Sequence, residues 1–229
     1  MNKTSEINNN VKSNVDLTTF HFIRHAEVYN PKKVIYEHLP GFYISQKGKR
    51  QAQVLAEFLA MRKNWLEKFA NFTFKLSKNL YSSPLLRAEE TAAPILAKLD
   101  LQLVCDQRII EAKSAIPGQA IPKNPFKLAY LARNPFCPSW GGESYQDIKL
   151  RFLSFMNDIA QKEAGKQVIC VSHQSPIWVM NRYFSGKTLW HNPKTRSTVN
   201  CSVTTFVYNK LNGQIVQPVR YCAPSENVI

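Results

Sequence analysis

Glycine is scarce in this chain, acidic residues are outnumbered by basic ones, and no long apolar run occurs. Eight glycines in 229 residues exclude a collagenous or glycine-rich polymer. The five cysteines, Cys105, Cys137, Cys170, Cys201 and Cys222, are odd in number, widely spread and without a CxxC pair. Neither a disulfide framework nor a zinc site is indicated. No segment reaches the ~18 consecutive apolar residues of a membrane-spanning helix. The opening MNKTSEINNNVKSNVDL lacks the apolar centre of a secretory signal. A soluble protein of the reducing cytoplasm, with no membrane partner, is the expectation.

Apolar residues make up 44% of the chain and charged residues 20%, which excludes wholesale disorder and a coiled coil. At roughly 100–200 residues per domain the length fits one domain. Thirty Lys and Arg against sixteen Asp and Glu give a net charge of +14. Such a balance suits nucleic acid, an anionic membrane surface or phosphorylated small molecules. A generally basic surface is the plain alternative. The basic residues are scattered and no RNP, KH or zinc-finger pattern occurs, so a nucleic-acid partner is not expected. The KGKR run at Lys47–Arg50 reads as a solvated helix face.

Residues 1–16 read as a flexible tail, 17–222 as a single α/β domain, and 223–229 as a second loose end. Thr18–Ile23 has the β-branched and aromatic character of a strand. Ser45–Arg62 has helical spacing of Ala52, Leu55, Ala56 and Leu59. Asn79–Ser82 is a short strand, and Pro84–Leu99 a helix that Pro94 should bend or break. Leu101–Cys105 is a further strand. Residues 112–142 hold five prolines and read as a loop-rich insertion or lid, with one short helix near 125–133. Glu143–Glu163 is a long helix, Val168–Val171 a strand buried on both faces, and Pro176–Phe184 another helix. Val203–Tyr208 and Ile215–Tyr221 form a closing hairpin around Asn212-Gly213. Alternating strands and helices predict a three-layer α/β/α sandwich with a mainly parallel sheet.

Ligands of open α/β sheets bind beyond the carboxyl ends of the strands. After the first strand comes Arg24-His25, after the second Ser83-Pro84-Leu85-Leu86-Arg87, and after the late buried strand Ser172-His173-Gln174-Ser175-Pro176. Ser83-Pro84 and Ser175-Pro176 each read as an N-cap followed by proline at the first helical position. Two helix N-termini would then point free N–H groups at one crevice, and Arg87 would lean back toward it. Phosphate is the natural occupant, because Arg binds its oxygens as a fork. There is no G-x-x-x-x-G-K-[ST] loop, no G-x-S-x-G elbow and no H-x-x-x-H helix for a metal. Cys170 lies inside a buried strand. What remains as nucleophile is an imidazole, which can divide one hard displacement into two easier ones.

The run Arg24-His25-Ala26-Glu27 resembles the R-H-G-[EQ] signature of the histidine phosphatase superfamily, the phosphoglycerate-mutase-like proteins. Ser83-Pro84-Leu85-Leu86-Arg87-Ala88-Glu89-Glu90-Thr91-Ala92 resembles that family's S-P-x-x-R-A-x-x-T-A motif, and Val171-Ser172-His173 its late histidine. The resemblance covers about residues 18–210. It implies that His25 takes the phosphoryl group, that Arg24, Arg87 and His173 hold the phosphate oxygens, and that Glu111 protonates the leaving oxygen and then activates water. Glu143 is the rival acid, although it also suits a helix start. The resemblance implies no metal and no cofactor. Asn30 stands one residue short of the family's phosphate-binding Asn, and Gln174 follows His173 where many members have Gly; both are candidate phosphate ligands. Ala26 replaces the usual glycine, and Glu111 lacks the sequence that often follows the acid in mutases. Outside the motifs, Glu27 reads as a partner for a nearby basic group, His21 as packed, and His38 and His191 as candidate substrate contacts. Trp140 and Tyr145 are candidates for lining a lid. The expected activity is a metal-independent phosphatase acting on a small phosphorylated metabolite through phosphohistidine. The alternatives are phosphoglycerate-mutase-type transfer and, more remotely, a basic nucleic-acid-binding protein with an inactive pocket. The motifs leave the oligomeric state open.

Overall fold

Leu17–Arg24 forms β1, and its alternating side chains are buried on both faces. The structure, a computed structural model, describes residues 14–61, 68–69, 72–73, 75–113, 117–120, 142–192 and 195–228. The remaining elements are α1 Gln46–Met61, β2 Lys68–Phe69, β3 Phe72–Thr73, β4 Lys75–Ser82, α2 Leu86–Leu99, β5 Gln102–Cys105, α3 Tyr145–Lys162, β6 Lys166–Ser172, α4 Gln174–Phe184, β7 Val203–Asn209, β8 Gln214–Ile215 and β9 Arg220–Cys222. A short 3-10 helix, Gln107–Ile109, follows β5.

The main sheet is mixed and seven-stranded, in the order β5-β4-β6-β1-β7-β8, with β9 also on β7. Strands β5, β4, β6 and β1 run parallel, and β7 turns antiparallel on β1. Helices cover both faces, which makes the three-layer α/β/α sandwich. On one face Ile23, Leu80, Ile169 and Val171 meet Leu55 and Leu59 of α1 and Ala92 and Ile95 of α2. On the other, Phe20, Phe22 and Val168 meet Phe152 and Phe155 of α3 and Ile177 of α4. Because β1 alternates, Phe20 and Phe22 enter the second core while His21 and Ile23 face the first. His21 is packed, as expected, between Thr205 Oγ1 at 2.8 Å and Gln167 Oε1 at 2.7 Å.

Register sets the working edge of the sheet. Arg24 pairs with Ser172, and Ser82 with Val171, so the carboxyl ends of β1, β4 and β6 stop side by side. Asp106 N–H donates to the Ser82 carbonyl, which brings the segment after β5 to the same edge.

Several expectations change. Pro94 does not interrupt α2; burying Ala92, Ile95 and Leu99 outweighs the ~3 kcal/mol that an interior proline costs. Neither Ser-Pro pair caps a helix. The N-cap of α2 is Leu85, without a side-chain cap bond, and that of α4 is His173, two residues before Ser175. Pro176 still falls in the first turn, where a missing N–H is harmless. Helix α3 begins at Tyr145, not Glu143, because Ser144 and Asp147 form a capping box. The closing hairpin has two short returning strands, β8 and β9, instead of one. The chain is already ordered at Asn14–Asp16, and Ser225, in the expected loose end, is fully buried. Most of the expected lid, and the helix near 125–133, lie outside the described residues, as does Trp140. Among the described residues, no helix is long and apolar enough to cross a membrane.

Candidate active site

His25 leaves β1 with its backbone N–H bonded to the Ser172 carbonyl at 3.0 Å, and its own carbonyl accepts from Asn200 Nδ2 at 2.8 Å. Its ring Nδ1 lies 2.7 Å from the Ala26 carbonyl. A carbonyl only accepts, so the proton sits on Nδ1 and the lone pair on Nε2. The Ala26 methyl group is accommodated because the backbone there is not left-handed. Ala26 N–H in turn donates to Thr91 Oγ1 at 2.9 Å, while that hydroxyl donates to the Arg87 carbonyl at 2.6 Å. One threonine on α2 thus ties the turn after β1 to the helix that carries Arg87.

The His25 and His173 ring centroids are 5.0 Å apart. Arg87 joins them: a terminal nitrogen donates to His173 Nδ1 at 3.3 Å and to the Glu37 carbonyl at 2.7 Å. His173 Nε2 then carries the proton and donates to Ser83 Oγ at 2.7 Å. Arg24 donates to the Thr198 carbonyl at 2.7 Å. Tyr36 covers the group, its ring 4.8 Å from the Arg87 guanidinium carbon and edge-on to His25. The structure therefore brings His25, Arg24, Arg87 and His173 to one place, from the ends of β1 and β6 and the first turn of α2.

The electrostatics of this place are lopsided. Arg87 is 1% exposed, yet no ion pair among the described residues contains Arg24 or Arg87. The Nε atoms of both are buried without a hydrogen-bond partner. By contrast, Arg108 is paired to Asp106 and Asp158, and Arg151 to Glu143. A buried cation without a directly paired carboxylate is costly unless an anion joins it. Burial, and then Arg87 and Arg24, hold the His25 imidazole well below its usual value. Burial, Arg87 and His25 do the same for His173. Both rings are neutral at pH 7, and His25 presents a free lone pair. Burial pushes the Cys170 thiol well above its ordinary value, so it is no competing nucleophile.

Glu111 follows the 3-10 helix at the same sheet edge. The Ile109 carbonyl accepts from Ser172 Oγ at 2.7 Å, and the Glu111 carbonyl accepts from His38 Nε2 at 2.8 Å. The Glu111 carboxylate supports the charge of both Arg24 and Arg87, and Oε1 accepts from Ala112 N–H at 2.8 Å. Its rival Glu143 is spent on Arg151, at 2.5 and 2.9 Å.

Other candidates fare differently. Asn30 folds its amide onto both backbone groups of Val34, at 2.8 and 3.2 Å, and so closes its own loop instead of joining the cluster. The Gln174 side chain donates to the Thr198 carbonyl at 3.2 Å, while its backbone N–H lies in the open first turn of α4. Glu27 accepts from the Ser45 hydroxyl at 2.8 Å, and no ion pair among the described residues contains it. His38 acts on the Glu111 backbone, and His191 is buried against Tyr145, with ring centroids 4.7 Å apart. Tyr36, Thr198 and Asn200 escaped sequence reasoning, and Thr91 stood in the second motif without a role. Thr91 had a signal, four residues after Arg87 on one helix face; Thr198 acts by its carbonyl and had none. Among the described residues no group of three or more His, Cys, Asp or Glu could hold a metal ion.

A family model for the histidine phosphatase superfamily (branch 1) matches residues 20–219. The uncharacterized protein Rv0525 of Mycobacterium tuberculosis is 37% identical over 214 residues, 91% of this chain and 97% of that protein. Phosphoserine phosphatase 1 of Hydrogenobacter thermophilus is 28% identical over 165 residues, 69% of this chain and 72% of that protein. Among solved structures, Bacillus stearothermophilus YhfR superposes with a TM-score of 0.69 at 21% identity, covering 86% of this chain and 94% of that one.

Proposed function

The chain belongs to the histidine phosphatase superfamily, and from that premise we propose that it hydrolyses a small phosphomonoester through a phosphohistidine formed on His25 Nε2. The observation that carries this is the His25 tautomer: Nδ1 is tied to the Ala26 carbonyl, so the nucleophilic nitrogen is the other one, beside two guanidinium groups whose buried Nε atoms have no hydrogen-bond partner. Nε2 attacks phosphorus in line, the ester P–O bond breaks, and the leaving oxygen takes a proton from the Glu111 carboxyl. The Glu111 carboxylate then takes a proton from water, the water oxygen attacks phosphorus, and the P–N bond breaks. Arg24, Arg87, His173 and the Gln174 backbone N–H hold the three outer oxygens and meet the charge that develops on them. These groups supply the positive charge, so the reaction as written uses no metal. A relative named as a phosphatase supports water, not the substrate, as final acceptor.

His25→Ala lowers turnover of p-nitrophenyl phosphate by at least ~10³-fold. Rapid quench with labelled ester traps acid-labile, base-stable label on the native chain and none on the variant. Full activity in the variant overturns the proposal, and isomer formation from 3-phosphoglycerate without release of phosphate overturns the choice of water.

A further inference from the structure

Arg196 lies outside every motif, yet three side chains hold its guanidinium. Its Nε donates to His191 Nε2 at 2.9 Å, one terminal nitrogen to Ser175 Oγ at 2.5 Å, and the other to the Tyr145 hydroxyl at 3.0 Å. His191 is itself set for this task. Its Nδ1 lies 2.7 Å from the Leu189 carbonyl, which places the proton there and leaves Nε2 to accept. Tyr145 stacks on the same ring. All three partners are uncharged acceptors, which orient the guanidinium without neutralising it.

No ion pair among the described residues contains Arg196, and a guanidinium has more donors than these acceptors use. Its place is next to the phosphate cluster. Ser175 stands in the first turn of α4, two residues beyond His173. Thr198, two residues beyond Arg196, holds Arg24 by its carbonyl. Arg24 also feels the positive charge of Arg196 directly.

We propose that Arg196 binds a second anionic group on the leaving alcohol, so that the preferred substrates are phosphomonoesters of acidic alcohols. The group is a carboxylate or a second phosphate, since the planar fork matches both. The inference rests on the phosphatase reading above and names the substrate class of that site.

The test compares kcat/KM for 3-phosphoglycerate and fructose 1,6-bisphosphate with that for glycerol 1-phosphate, and keeps p-nitrophenyl phosphate as the reference without a second anionic group. The native enzyme prefers at least one acidic ester, and which one identifies the anion. Arg196→Met lowers kcat/KM for that ester by about 10–100-fold, chiefly through KM, as loss of a charge-assisted contact should. It leaves p-nitrophenyl phosphate within about threefold, and Arg196→Lys restores part of the preference. An equal fall on every ester makes Arg196 a structural prop and overturns the proposal. So does a native enzyme that favours neither acid. Failure of the phosphatase reading looks different: p-nitrophenyl phosphate is then not hydrolysed, or is hydrolysed equally well by His25→Ala.

Discussion

Arg87 touches the Glu37 carbonyl, His173 and the face of Tyr36 with one planar group. A lysine ammonium keeps the charge but has neither the plane nor the fork. Arg87→Lys is therefore expected to lower kcat/KM for p-nitrophenyl phosphate by about 10²–10³-fold while the fold survives, as read by circular dichroism. A variant within a few-fold of native would mean that charge alone suffices. At this scale the sequence spoke clearly where a residue joins the cluster through a distinctive side chain in a fixed spacing, as His25, Arg87 and His173 do. It was silent where the active atom is a backbone carbonyl, as at Thr198, or the face of a ring from a distant loop, as at Tyr36. Asn30 misled because an amide suited to phosphate is equally suited to closing its own loop.

Gly48 in α1 shows how an element controls a site that it does not enter. A Cβ there would stand 2.2 Å from the Glu27 carbonyl oxygen, so the helix seats directly on the turn after His25. In an open helix Gly→Ala would gain about 1 kcal/mol. Here the clash with backbone outweighs that gain, and Gly48→Ala is expected to destabilise by about 1–3 kcal/mol in urea titration. The turn bearing Ala26 must also move, so turnover falls with stability. Unchanged activity would show that the contact yields without disturbing His25. Periodicity revealed the strands and helices themselves, because alternation in β1 and the spacing of Ala52, Leu55 and Leu59 follow from which faces are buried. Helix starts were misread at Ser83 and Ser175. A serine before proline is a local signal, and here the Ser83 hydroxyl is drawn away to His173. Pro94 was misread for the converse reason, that tertiary burial overrode a local penalty.

At the scale of the whole molecule, burial keeps His21, His25, His173 and His191 neutral. His21 is lowered to about 4, mainly by burial and against the opposing Gln167 bond. His191 is also lowered to about 4, and His25 and His173 lie well below 6.5. The unfolded chain takes up these protons near pH 6.5, whereas the folded chain keeps His21 and His191 neutral until about pH 4 and His25 and His173 neutral well below 6.5. The stability due to neutral histidine is thus fully present above 6.5 and is lost as pH falls toward 4. His21 alone contributes roughly 3 kcal/mol across that window. The urea midpoint should drop steeply between pH 6.5 and 4, and His21→Gln should make the drop shallower. A flat native profile would contradict the buried, neutral assignment.

The guanidinium groups of Arg24 and Arg87, which no ion pair among the described residues contains, carry one more thermodynamic implication. Whatever oxyanion seats among them steadies the native chain by an amount that grows with the logarithm of its concentration, about 2.7 kcal/mol at a hundredfold excess over its dissociation constant. Inorganic phosphate, the end product of the proposed reaction, is such an anion. On the proposed reaction, the groups that hold the ester's phosphoryl oxygens also hold spent phosphate, which is then both a brake on the next cycle and a guardian of the resting fold.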